Sequence, residues 1–272
     1  MSSYVIAGAS RGLGFEFLRQ LSEDPANTII GLVRNKTAVE ERVIAELNRP
    51  NIHILYGDLA NYESLKKAAE DTATLTGGSL DYLIANGAFI SYYSGFQTFG
   101  ELAQDHKGLE DDLRAHLDTN VIGNVHLINV FVPLIRRGKA KKVIAITSGM
   151  ADLDLITKYD IDVAGAYAMS KAALNVAVAK FSAEYRKENI LFMSISPGVV
   201  DTLDKDKNEP SEELRKGFVR LATKFSSYAP NFAGPIPPEE SVKHVLSVIY
   251  NASIERGFAG SFVSHFGNKQ WI

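Results

Sequence analysis

The chain has 272 residues, 46% of them hydrophobic, and a formal net charge of -3 from 29 basic and 32 acidic side chains. This composition fits one large α/β domain with an ample core and excludes a disordered or fibrous protein. The near-neutral balance provides no strong field for nucleic acid or an anionic membrane, so we expect neither as a partner. Because the chain contains no cysteine, disulfides, thiolate zinc sites and a cysteine nucleophile are excluded.

The N-terminus runs from Met1 straight into an apolar strand and lacks the pattern of a secretory signal. No apolar stretch reaches the length needed to span a bilayer, since the nearest is interrupted by His126 and Asn129. We therefore expect a cytoplasmic protein.

Short β-branched runs alternate with helical periodicity along the whole chain, which is typical of repeated βαβ units. Strands are predicted near Val5 and over Ile29–Val33, Ile52–Tyr56, Tyr82–Ala85, Val143–Thr147, Leu191–Ile195 and Ser261–Ser264. Helices are predicted over Leu13–Leu21, Ala38–Leu47, Ser64–Leu75, Leu109–Ile135, Ala166–Arg186 and Glu239–Tyr250. The pattern predicts a single α/β domain over residues 1–272, with a doubly wound, Rossmann-type parallel sheet of about seven strands flanked by helices.

Two segments break this rhythm, Phe89–Gly108 and Val199–Pro238, and each follows the carboxyl end of a predicted strand. Ligands bind at those ends in open α/β sheets, so we expect irregular loops on the substrate side. Their aromatic side chains could line an apolar cleft or serve as core contacts, and the sequence leaves both open: Phe89, Tyr92, Tyr93, Phe96, Phe99, Phe218, Phe225, Tyr228 and Phe232.

A glycine-rich turn follows the first strand and opens the first helix. Glycines there let the backbone approach a pyrophosphate, and the helix N-terminus offers free N–H groups with a partial positive charge. Such a pattern can also be a simple tight turn, but its position between strand and helix favours a dinucleotide site. The predicted phosphate-binding residues are Gly8, Ser10, Arg11, Gly12, Leu13 and Gly14.

The end of the second strand indicates which dinucleotide is bound. An acidic residue about 20 positions beyond the glycines binds a ribose 2′-hydroxyl, whereas an arginine accommodates a 2′-phosphate. That position holds Arg34, preceded by Val33, and Arg11 adds a second cation. Arg34 could be an ordinary surface charge, but the pattern favours NADP(H), with Asp58 and Leu59 flanking the adenine.

Tyr167 and Lys171 are four residues apart in a strongly helical stretch, so both side chains share one helix face. A free tyrosine has a pKa of about 10 and acts as an acid or base near neutrality only if a positive charge favours its phenolate. The Lys171 ammonium and an oxidised nicotinamide would provide that charge.

Polar or glycine-containing turns follow other predicted strands and would face the same site. Ser148 follows the fifth strand, and Asn120 lies within the long predicted helix before it. Further cofactor contacts are expected from the turns after the fourth and sixth strands: Asn86, Gly87, Ala88, Pro197, Gly198, Val200 and Thr202.

With these motifs in this order, the chain resembles the short-chain dehydrogenases/reductases from end to end. The resemblance implies Tyr167 as general acid/base, Ser148 as the residue that polarises a carbonyl, and Lys171 as the residue that tunes Tyr167 and binds the nicotinamide ribose. It implies Asn120 as holder of a relay water, and a homodimer or homotetramer. We expect NADPH-dependent reduction of an apolar or aromatic ketone, of the carbonyl reductase type.

The sequence departs from the family pattern between Ser148 and Tyr167, which lie 19 positions apart (167 − 148), where roughly a dozen is typical. We expect the extra residues, among Asp152–Asp162, to form a loop beside the substrate. Thr147 is a near alternative to Ser148.

Other functions are disfavoured. The six histidines lack zinc-ligand spacing, and Ser148 is not in a Gly-x-Ser-x-Gly elbow, so neither a metal site nor a hydrolase is expected. A cofactor-binding sensor without turnover needs none of the catalytic residues. An isomerase or lyase that uses the same tyrosine stays open as an alternative.

Overall fold

The computed structural model of the protein describes residues 1–202 and 212–272, and within these ranges seven parallel strands form one sheet. The strand order β3-β2-β1-β4-β5-β6-β7 confirms the doubly wound, Rossmann-type prediction. The order reverses between β1 and β4, which is where such sheets bind ligands. The strands are β1 Ser3–Ala7, β2 Thr28–Val33, β3 Ile52–Tyr56, β4 Tyr82–Ala85, β5 Lys142–Ile146, β6 Leu191–Ser196 and β7 Phe262–Ser264.

Helices cover both faces of the sheet because alternate strand residues point to opposite sides. Ile6 of β1 packs into a core that α1, α2 and α10 complete, while its neighbour Val5 packs into a core completed by α3, α6 and α8. In the described part of the chain the α-helices are α1 Gly12–Leu21, α2 Lys36–Glu46, α3 Tyr62–Thr76, α4 Phe99–Leu102, α5 His106–Leu117, α6 Asn124–Ile135, α7 Leu153–Lys158, α8 Gly165–Glu184, α9 Glu212–Tyr228 and α10 Pro238–Asn251.

The long helix predicted over Leu109–Ile135 is interrupted, which corrects that prediction. A π-helical turn, Asp118–Gly123, separates α5 from α6. The wider turn brings Gly123 so close to Leu59 that a Cβ at residue 123 would lie 2.5 Å from the Leu59 carbonyl oxygen. One extra residue in a turn shifts the apolar pattern only locally, so hydrophobic periodicity did not indicate the break.

The segments predicted to be irregular contain helices. Helix α9 occupies much of Val199–Pro238, while α4 and the first turn of α5 lie within Phe89–Gly108. The predicted loop over Asp152–Asp162 includes α7. Helices α4 and α7 are too short to show an apolar period. Helix α9 is amphipathic, so its period was present in the sequence and was missed. Residues 203–211 of the second segment lie outside the described residues.

Candidate active site

The glycine-rich turn after β1 packs against the end of β4 so tightly that side chains are excluded. A Cβ at Gly14 would lie 2.0 Å from the Gly8 carbonyl oxygen, and one at Gly8 would lie 2.6 Å from Gly87 Cα. The Asn86 amide donates to the carbonyl oxygens of Ala7 and Gly8, at 3.3 and 3.1 Å. The structure therefore brings together the predicted contacts from both strands.

The N-terminus of α1 keeps its donors available. Arg11 is the N-cap residue, makes no side-chain capping bond, and is exposed; the first turn has no acidic residue. Free N–H groups and the positive end of the helix dipole therefore face this turn, which suits the pyrophosphate of a dinucleotide. Ser10 is also exposed and Leu13 is partly buried.

Thr202, which follows β6, closes over the same turn. A Cβ at Gly12 would lie 3.2 Å from Thr202 Cγ2. The Pro197–Thr202 stretch therefore reaches the glycine-rich turn, although the two are far apart in sequence. Gly198 adopts a φ of +86°, and Val200 is partly buried.

Arg34 is exposed directly after β2, at the position predicted to meet a ribose phosphate. A second arginine, Arg42 of α2, was missed: it donates to the Ser10 carbonyl oxygen at 3.2 Å and lies 3.7 Å from the Phe15 ring centroid. It also pairs with Glu46 at 2.7 Å. The only local signal for Arg42 was its ion-pair spacing to Glu46, which is common on helices.

Asp58 and Leu59 lie beside this end of the site. The Asp58 carboxylate accepts the Ala60 N–H at 3.0 Å, and a Cβ at Gly87 would lie 2.9 Å from Leu59 Cδ1. Leu59 is therefore wedged under the Asn86–Ala88 turn. Adenine contacts of Asp58 and Leu59 stay a prediction.

The side chains of Ser148 and Tyr167 meet across the 19-position interval, close enough for Ser148 to affect the pKa of the phenol. Burial raises the pKa of Tyr167 to about 12, and the interaction with Ser148 partly opposes that shift. Thr147, the alternative residue, has its hydroxyl buried without a partner among the described residues. Of the two candidates, Ser148 is therefore the one whose side chain meets Tyr167.

Lys171 is 2% exposed, and its ammonium donates to the Ile146 carbonyl oxygen at 2.9 Å. Its Nζ lies 5.8 Å from the centroid of the Tyr167 ring, as the shared helix face predicts. Burial lowers the pKa of Lys171 to about 8. For both groups burial opposes the charged form, so a phenolate at Tyr167 needs further positive charge nearby.

Asn120 is fully buried in the π-helical turn and ties three segments together. Its amide donates to the Phe89 carbonyl oxygen at 3.0 Å and to Ser170 Oγ at 2.9 Å, while its side-chain oxygen accepts the Phe89 N–H at 2.7 Å. Both amide hydrogens are therefore used in joining the loop after β4 to α8. A relay water at Asn120 stays a prediction.

An apolar cluster that the sequence did not predict supports the Ser148 turn. Trp271, 4% exposed, lies against Gly149, where a Cβ would be 2.8 Å from Trp271 Cβ. Phe225 and Tyr228 of α9 join this cluster, and the main-chain N–H of Trp271 donates to the Tyr228 hydroxyl at 3.0 Å. Several of the aromatics considered for a cleft are therefore core contacts here.

Charged side chains connect α9 to the two other segments around the site. Arg220 pairs with Asp162 at 2.9 Å and with Glu101 at 3.3 Å, and Lys224 also pairs with Asp162. Phe96 packs so close to Gly217 that a Cβ there would lie 2.3 Å from Phe96 Cβ. Three stretches far apart in sequence thus surround one region beside Tyr167.

Among residues 1–202 and 212–272, no helix combines the length and apolarity needed to cross a bilayer. Over the same residues, no three histidine or carboxylate side chains gather in a metal-binding arrangement.

Comparison with known proteins identifies the family of the chain. Residues 3–213 match the family described as short chain dehydrogenase. The chain is 54% identical to the short chain dehydrogenase virK of Hypocrea virens, and the match covers 100% of both proteins. It is 50% identical to the short-chain dehydrogenase/reductase iacC of Pestalotiopsis fici, again with 100% of both proteins covered. Its fold is similar to that of NADPH-bound carbonyl reductase from chicken fatty liver, with 23% identity, 98% coverage of each chain and a TM-score of 0.75.

Proposed function

Because the chain belongs to the short-chain dehydrogenase family, we propose that it reduces a ketone to a secondary alcohol with NADPH, in a reversible hydride transfer. The observation that carries this proposal is that the side chains of Ser148 and Tyr167 meet, with Lys171 buried beside the phenol. These groups follow β5 or lie on α8, at the same edge of the sheet as the glycine-rich turn.

In the proposed reaction, the bound cofactor supplies a hydride to the carbonyl carbon. Ser148 donates a hydrogen bond to the carbonyl oxygen, which polarises the C=O bond. Tyr167 gives its phenolic proton to that oxygen as negative charge develops. In the reverse direction the Tyr167 phenolate takes the proton from the alcohol. Lys171 contributes positive charge beside the phenol and offsets the burial that disfavours the phenolate.

The residues present fit a dinucleotide. The pyrophosphate would be held at the start of α1, which has no side-chain cap, and by the glycine-rich turn, where Gly8 and Gly14 meet without side chains. Thr202 and the Asn86–Ala88 turn would hold the nicotinamide half. Arg34 is exposed where the 2′-phosphate is expected and therefore supports NADP(H) over NAD(H). Arg42 donates to the Ser10 carbonyl oxygen and adds a second cation at the same end of the site.

An apolar or aromatic ketone is the proposed substrate class. Support comes from the partly buried Phe89, whose ring packs against His116, which in turn contacts the Tyr167 ring. We also propose a homodimer or homotetramer in the cytoplasm. Exposed apolar side chains on the π-helical turn and α8 support self-association: Ile122 at 49%, Met169 at 49% and Val176 at 61% exposure.

The direct test follows NADPH absorbance with a series of aromatic and aliphatic ketones, and with NADH in parallel. Wild type should consume NADPH in preference to NADH, while Tyr167→Phe should lose at least about a hundredfold in kcat, since general acid catalysis contributes on the order of 10²–10⁴. Tyr250→Phe is the matched control: its hydroxyl lies 3.5 Å from that of Tyr4, at the start of β1 and far from the site.

Two results would redirect the proposal. Tight NADPH binding without turnover of any carbonyl would favour a sensor. Substrate conversion at constant NADPH absorbance would favour an isomerase or lyase that uses the same tyrosine.

A further inference from the structure

A buried polar pair on α5, Asp112 and His116, lies beside Tyr167 and has no role in the proposed reaction. His116 is 1% exposed and Asp112 is 7% exposed. His116 Nδ1 lies 2.8 Å from the Asp112 main-chain carbonyl oxygen and 3.4 Å from the carboxylate oxygen Oδ2. A carbonyl oxygen only accepts, so Nδ1 carries the hydrogen and donates it.

The His116 ring is held between two aromatic side chains of the site. Its centroid lies 4.8 Å from that of Phe89 at an interplanar angle of 66°, and 6.4 Å from that of Tyr167 at 69°. Both contacts are edge-to-face in type, which is a preferred aromatic geometry at such separations. Asn120, one turn further along, binds both main-chain groups of Phe89 and so fixes the other wall of this contact.

Packing alone does not account for the polar atoms of this pair. His116 Nε2 and Asp112 Oδ2 are buried, and neither has a hydrogen-bond partner within the described ranges. Unpartnered buried polar atoms destabilise a fold, and an apolar ring of similar size would fill the same space without that penalty.

The hydrogen bond of Nδ1 fixes the orientation of the ring, which an apolar ring could not achieve. A phenylalanine ring can turn about its last side-chain bond, whereas the His116 ring is fixed in one orientation by its bond to the Asp112 carbonyl oxygen. The Asp112 carboxylate favours the tautomer that makes this bond, because it lies 3.4 Å from the same nitrogen. A ring of fixed orientation can in turn fix the neighbour that packs against its edge.

We propose that His116, oriented by Asp112, is a positioning residue for Tyr167: its ring holds the phenol in line with Ser148. This inference rests on the proposed function, because it names a residue that aligns the proposed general acid. The pair touches Tyr167 only through the ring contact and is not itself a proton donor in this scheme. Its loss therefore slows the proton transfer step more than it weakens the binding of either substrate.

The test compares His116→Phe with wild type. The variant keeps an aromatic ring and removes the orienting hydrogen bond, so kcat should fall about tenfold while KM for the ketone and Kd for NADPH stay within about twofold. His126→Phe is a matched control, since His126 makes a similar edge contact at 5.1 Å and 68°, but with Tyr62 rather than Tyr167. If His116→Phe does not fold, His116→Gln replaces it, with the same expected loss.

A crystal structure of His116→Phe gives a readout independent of turnover. The Tyr167 ring should be turned or displaced from its place beside Ser148 relative to the wild-type crystal structure. An unchanged kcat, an effect confined to the ketone KM, or an unmoved Tyr167 ring would each overturn the inference. Absence of any turnover by wild type would instead refute the proposed function, and the ring position would still decide the role of His116.

Discussion

The stability of this protein should fall in mild acid because of one histidine, His265. Its ring is 3% exposed and packs against Gly198, where a Cβ would lie 2.8 Å from the ring. Burial, and then the nearby charge of His244, lower the pKa of His265 from 6.5 to about 4. The two rings are stacked with centroids 5.6 Å apart, so His265 cannot gain a proton without placing charge in this buried stack.

The sign and size of the effect follow from the lowered pKa. Below pH 6.5 the unfolded chain takes up the proton and the folded chain does not, so the unfolded state is favoured. The contribution of His265 to stability is complete above pH 6.5 and is lost as the pH falls towards 4. At about 1.4 kcal/mol per pKa unit, the expected loss is about 2–3 kcal/mol by pH 4.5.

Urea denaturation between pH 7.5 and 4.5 measures this loss. Replacement by a non-titrating ring, His265→Phe, should remove about 2–3 kcal/mol of the pH dependence of the unfolding free energy. Titrating groups distant from His265 are present in both proteins, so they cancel in the difference, whereas the interaction with His244 is part of the loss that is measured. His53→Gln serves as a control for a histidine whose pKa burial also lowers but which is less enclosed. Parallel stability curves for wild type and His265→Phe would refute the reasoning.

Three further perturbations have defined outcomes. Gly14→Ala should raise the NADPH Kd more than a hundredfold in a fluorescence titration, whereas Gly100→Ala, with only one atom within 4 Å of the added methyl group, should leave it unchanged. Arg34→Glu should weaken NADPH binding by about 10- to 100-fold, the range expected for loss of a charged hydrogen bond, and should leave NADH binding unchanged. The control Arg186→Glu, beyond the end of α8, should change the binding of neither cofactor. Trp271→Ala should lower the unfolding free energy by about 3–5 kcal/mol in urea denaturation, as loss of a buried tryptophan does, and an unchanged value would show that the residue is not packed as described.

Local patterns in the sequence determined much of the fold and part of the site. The alternation of β-branched runs with helical periodicity predicted all seven strands of the sheet and their parallel arrangement. The glycine-rich turn between β1 and α1 was recognisable because backbone conformation and helix ends have short-range signatures. Tyr167 and Lys171 were paired on one helix face by their spacing alone.

The tertiary structure decided which distant residues meet and how charged groups behave there. Trp271 under Gly149 and His116 beside Tyr167 left no local signal, because these contacts depend on close packing of segments far apart in the chain. Helices α4 and α7 formed for the same reason, since tertiary contacts stabilise helices that are too short to be stable alone. The raised pKa of Tyr167 and the lowered pKa of Lys171 follow from burial, which spacing along a helix does not reveal.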